Sequence, residues 1–221
     1  MPRTAFLRTL PLVAALTLMA CQPAQDKNDN APTGIAAKAM DEARKGLGEA
    51  SQELQKAQSE IDAARKKLAT ENLTLNRNEN QQLPKAEITP AGDLLIEGKA
   101  VATTPEQKEK VLAYRGAMIT VVGDGMAIGM EGARVGIDAA ASALKGMLSG
   151  QSGDEIGKQA GEQAEAKIKP LVAQLCTRMP GLLSAQQALS AAVPEFSPYA
   201  TMDQSDVDDC GDANGDGNWT F

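Results

Sequence analysis

Three rhythms of apolar and polar positions run along this chain. From Ile35 onward, Leu47, Leu54, Ile61 and Leu68 recur at every seventh position. Ala50, Ala57 and Ala64 fill the other seam position, and Lys, Glu, Gln and Arg occupy most of the rest. A seam alternating a large residue with alanine predicts a helix over 35–70 that lies close against a partner helix. The partner expected is internal, with the glycine groove of the central helix as its place; the alternative is a coiled-coil surface for another protein or a second copy.

The second rhythm is short. Two apolar-bearing runs, Lys85 to Ile88 and Leu94 to Lys99, flank the turn-rich Thr89-Pro90-Ala91-Gly92-Asp93. They predict a β-hairpin over 84–101. An isolated hairpin is marginal, so it must pack on the helices or pair with a segment such as Leu73-Thr74-Leu75. Thr104-Pro105-Glu106-Gln107 then offers a capping hydroxyl, a first-turn proline and a capping-box return, which predicts a helix start.

The third rhythm is helical, from Leu112 to Leu148, within a predicted helix 104–149. At ~100° per residue, Gly125, Gly129, Gly132 and Gly136 share one narrow face, while Asp124, Glu131, Arg134, Asp138 and Lys145 lie opposite. Apolar ridges flank the glycines: Ile119, Met126, Met130, Ile137, Leu144 and Leu148 on one side, Val121, Ile128 and Val135 on the other. This pattern predicts a helix-packing groove on the buried side, with the charges in water. The β-branched run before Gly123 predicts a weak point or kink there. Ser152 and Glu155 form a second capping box, opening helices over 153–193 that Pro170 breaks or kinks. The fold class expected is mainly α, long helices packed as a hairpin or bundle with a small β-hairpin, in one domain over 35–202.

Composition narrows the chemistry. Aromatic content is 3%, so the core must be built from closely approaching small and aliphatic side chains. A net charge of −7 without a basic run argues against nucleic acid. Histidine is absent, which removes the commonest general base and the commonest metal ligand. No enzymatic activity is expected.

The N-terminus gives an address. Arg3 and Arg8 precede an apolar run, Leu10 to Leu18, of signal-peptide length, ending in Leu18-Met19-Ala20-Cys21. This ending resembles the lipobox of bacterial lipoproteins. The resemblance implies cleavage of residues 1–20, acylation of Cys21 and anchoring by more than one chain. Gln22, where an aspartate would signal retention, resembles the outer-membrane-directed pattern, with the domain on the periplasmic face. Residues 21–34 are polar and aperiodic and read as a flexible tether.

Ile88-Thr89-Pro90-Ala91-Gly92-Asp93-Leu94, Gly98-Lys99, Ala113-Tyr114-Arg115, Leu175-Cys176-Thr177-Arg178 and Gln186 to Leu189 resemble the YggN-like family of uncharacterised bacterial envelope proteins. The resemblance covers roughly residues 84–202. It implies an exported, mostly helical protein and names no activity.

Two motifs mislead. Gly123-Asp124-Gly125-Met126-Ala127-Ile128-Gly129 after a β-branched run imitates a dinucleotide fingerprint, but no second strand with an acidic end follows. The Gly125/Gly129 and Gly132/Gly136 spacing imitates a transmembrane dimer motif. The five charges between Asp124 and Lys145 would each cost about 2.5–3.5 kcal/mol at a bilayer centre.

With Cys21 lipidated, Cys176 and Cys210 remain and are expected to pair in an oxidising compartment. Residues 203–221 form an acidic tail. Within it, Asp212, Asn214 and Asp216, with Gly217 at loop position six, match the first half of a calcium loop that lacks its closing glutamate. The function expected is a non-enzymatic lipoprotein scaffold or interaction module, touching the membrane through Cys21 and an envelope partner or second copy through its helices. The alternative is a module that binds calcium or a small ligand.

Overall fold

The computed structural model describes residues 34–75 and 83–211. The chain is mainly α. Helix α1 spans Ile35–Thr70, α2 Pro105–Leu148, α3 Gly153–Ala192 and the short α4 Gln204–Asp208, with a 3-10 segment at Pro194–Tyr199. Between α1 and α2, strands β1 (Leu73–Thr74), β2 (Ala86–Ile88), β3 (Leu94–Ile96) and β4 (Lys99–Ala100) form an antiparallel sheet in that order. The sheet is therefore larger than a hairpin. Leu73 pairs with Ile88, Ala86 with Ile96, and Leu95 with Ala100.

Local chemistry sets the helix starts. The Thr104 hydroxyl accepts the Gln107 amide N–H, and the Gln107 side chain accepts the Thr104 N–H at 2.8 Å. Ser152 and Glu155 do the same for α3. Each reciprocal pair satisfies two amides that the helix itself cannot. The β2–β3 turn needs glycine. Gly92 has φ +85°, and an added Cβ would sit 2.6 Å from Leu112 Cγ, so the turn is pressed onto α2. Lys108 Nζ, 2.8 Å from Asp93, holds that carboxyl below the usual carboxylate range.

The three long helices run antiparallel in sequence, with α2 packed against both neighbours. Arg65 donates to the Gly123 carbonyl (3.2 Å) and Arg134 to the Gln58 side chain (3.1 Å), which sets α1 against α2. Gln107 donates to the Ala192 carbonyl (2.6 Å), and Lys167 lies 3.1 Å from Asp138, which sets α3 against α2. The seam of α1 faces inward but stays half-buried throughout, from Leu47 to Leu68. Its internal partner is α2.

The hydrophobic core is gathered at the sheet end. Ala86, Ile88 and Leu94 from the sheet meet Val111, Tyr114 and Val121 from α2, Leu175 to Leu189 from α3, and Phe196 and Tyr199 beyond it. Both tyrosines and one of the three phenylalanines of this aromatic-poor chain are spent here. Tyr114 and Phe196 meet edge to face at 5.0 Å.

Neither α2 nor α3 breaks at the expected points. Helix α3 continues through Pro170 and Pro180. Both rings are on the exposed side, where the freed carbonyls one turn back can be hydrated. Helix α2 continues through Gly123–Gly125, clamped by the core at Val121 and by Arg65 on the Gly123 carbonyl.

Candidate functional site

The glycine face of α2 lies on the opposite side from the one expected. Gly125, Gly129, Gly132 and Gly136 are exposed, and a Cβ built on any of them meets nothing within 4 Å. No helix of the described chain fills them. Helix α1 approaches a different side of α2, through Gly123 and Arg134, and α3 packs near Val121 and Ile128 and the acidic positions Asp124 and Glu131.

Of the charged face, Arg134, Asp138 and Lys145 stay exposed as expected, while Asp124 and Glu131 are turned inward. Asp124 is 20% exposed and lies 2.5 Å from Arg178 Nε of α3. Glu131 is 25% exposed and lies 3.9 Å from Lys167. Two acidic groups expected in water thus register α2 against α3. Ion pairing offsets their desolvation, and it leaves the uncharged glycine stripe facing outward.

This orientation bears on the membrane motif. An 18-residue stretch of α2 has mean hydropathy 1.3 and is 22% buried, so length and composition alone would let α2 cross a bilayer. The pairing of Asp124, Glu131 and Asp138 with cations of α3 ties that helix to the rest of the domain instead.

Arg115 enters the sequence pattern only within the Ala113-Tyr114-Arg115 segment, with nothing to mark it by itself. Arg115 is 4% exposed, and its guanidinium donates to the carbonyls of Ile88 (2.9 Å), Leu68 (2.7 Å), Ala69 (3.3 Å) and Glu71 (2.8 Å). Three of these are orphan carbonyls at the end of α1, where the helix dipole favours a cation. Desolvation lowers the Arg115 pKa. One side chain thereby joins α1, the sheet and α2.

Cys176 and Cys210 form a disulfide, with Cα atoms 5.5 Å apart. Cys176 is therefore not a free thiol nucleophile, and the bond fixes the C-terminal segment to the middle of α3. Asp203 and Asp206 cap α4. The Asp203 N–H donates to Asp206 (2.8 Å), and the Ser205 hydroxyl and N–H donate to Asp203, holding its carboxyl below the usual range. Among the described residues no cluster of three or more acidic or cysteine side chains has a metal-holding arrangement. The candidate calcium ligands Asp212, Asn214 and Asp216, and the candidate lipid anchor Cys21, lie outside the described residues. A shallow depression along α3, lined by Glu162, Glu165, Lys169 and Pro170, draws on that helix alone and has no second wall to enclose a ligand. No family model matches the chain, and no curated protein or solved structure matches it either.

Proposed function

We propose that this chain is a non-enzymatic lipoprotein of the outer membrane, held at the periplasmic face through Cys21, whose α2 glycine face receives a helix of another envelope protein. The observation that carries the reading is the open space over Gly125, Gly129, Gly132 and Gly136. Glycine in a helix interior costs roughly 0.5–1 kcal/mol relative to alanine. Four of them on one open face lower helix stability with no internal packing in return. A partner backbone that needs the missing Cβ atoms would supply that return. The lipobox and the resemblance to the YggN-like envelope family point to the same compartment.

Photo-cross-linking in intact cells tests this. A photoreactive residue at Ala133 or Ala140, both exposed beside the stripe, should give a discrete adduct. Gly129→Leu together with Gly132→Leu should abolish it while helicity is kept and the melting temperature does not fall. Absence of any adduct from either position sinks the docking role.

A second reading is calcium binding by Asp212, Asn214 and Asp216. It is supported by their spacing and by the disulfide that fixes Cys210 just before them. Calcium should then raise the melting temperature, and Asp212→Ala with Asp216→Ala should remove that rise. No rise in the unmodified protein ends this reading.

A further inference from the structure

The α2–α3 turn is built rigidly yet presents apolar side chains to solvent. Met147 is 60% exposed and Leu148 48% exposed. The turn beneath them closes as a Schellman motif. Gln151 N–H donates to the Gly146 carbonyl (3.0 Å), Gly150 N–H donates to the Met147 carbonyl (3.3 Å), and Gly150 has φ +78°. Gly146 is buried, and a Cβ there would displace the Gln151 and Ile156 side chains. The exposure of Met147 and Leu148 is thus set by a fixed backbone. From Gly146 to Gly153 the chain carries no charge, and the nearest carboxylates, Asp154 and Glu155, belong to the first turn of α3.

The antiparallel packing fixes which end this is. From the Gln58–Arg134 crossing, α1 runs back toward Gly34 while α2 runs on toward Gly150. At 1.5 Å per residue those arms are about 36 Å and about 24 Å long, so the start of α1 and the turn emerge at the same end. The sheet and the hydrophobic core occupy the other end. Between Cys21 and Gly34 the chain spans at most about 45 Å even fully extended.

We propose that the α2–α3 turn is a membrane-contact site, with Met147 and Leu148 entering the interface of the phospholipid leaflet that holds the Cys21 acyl chains. The proposal rests on the lipid-anchored reading above. The start of α1, where the segment to Cys21 attaches, and the turn emerge at one end of the helices, so a second contact with the anchoring leaflet would form at high effective concentration. Lys145, one residue before the turn, can lay its stem along the apolar surface and keep its ammonium among the headgroups.

The test uses the full-length lipidated protein in vesicles of phosphatidylethanolamine and phosphatidylglycerol. An environment-sensitive fluorophore is attached at Leu148→Cys or, at the opposite end, at Lys99→Cys. Quenching by nitroxide-labelled lipid should be strong at 148 and absent at 99, and Met147→Glu should reduce quenching at 148 several-fold. Equal quenching at both positions, quenching at 99 alone, no quenching, or a blue shift at 148 without lipid quenching each overturns the proposal. Intact mass on the same preparation separates the two readings. An unmodified Cys21 defeats the lipoprotein reading itself, whereas acylated Cys21 with an unquenched turn defeats only the membrane contact.

Discussion

Arg115 donates to the Leu68 carbonyl at 2.7 Å, and among the described residues no carboxylate accepts from the same guanidinium. Its charge is met by backbone oxygens alone. Arg115→Met should therefore strand four carbonyls and cost about 2–4 kcal/mol, read as a lower urea midpoint at pH 7. Arg115→Lys should recover only a minor part, because an ammonium cannot span the Ile88, Leu68 and Glu71 oxygens as a planar fork does.

Glycines on α2 divide into two kinds, and alanine separates them. At Gly129 and Gly132 the added Cβ meets nothing, so each Gly→Ala change should stabilise by about 0.5–1 kcal/mol. At Gly146 it would meet Gln151 Oε1 at 2.6 Å and Ile156 at 2.8 Å, so Gly146→Ala should destabilise. Thermal unfolding of the three single variants checks both signs.

The Cys176–Cys210 bond closes a loop across a sequence separation of 34 residues. Loop-closure entropy assigns it about 4 kcal/mol. Reductant should lower the melting temperature of the native protein and leave a Cys176→Ser, Cys210→Ser variant unmoved.

Burial pushes the Tyr114 hydroxyl up to about 12, against about 10 in the unfolded chain. The folded state thus keeps a proton that the unfolded state releases. Stability from this group is complete below pH ~10 and falls by about 1 kcal/mol by pH 11. Tyr114→Phe should flatten that alkaline decline without changing the urea midpoint at pH 7. Denaturation curves at pH 8 and pH 11 decide it.

Sequence made the elements legible where a local interaction sets them. The Thr104/Gln107 and Ser152/Glu155 boxes mark the starts of α2 and α3, and the Leu/Ala seam of α1 faces inward as its period requires. The orientation of α2 was not legible. A helical wheel separates the glycines from Asp124 and Glu131 but does not say which side meets water. That depends on Arg178 and Lys167, which lie on a different helix. Pro170 misled for a related reason, since a proline on an exposed helix face leaves its freed carbonyl open to water, and the helix continues past it. The role of Arg115 depends on three segments meeting, and no spacing within one segment encodes that.

The half-buried seam of α1 has a mechanical consequence for a chain held at its N-terminus. Tension applied from Gly34 loads α1 at the end far from Arg115, so the α1–α2 contacts peel away turn by turn rather than all together. Tension reaches the sheet and its core only after the contacts at Gln58 and Arg65 have opened and the load has come to Arg115.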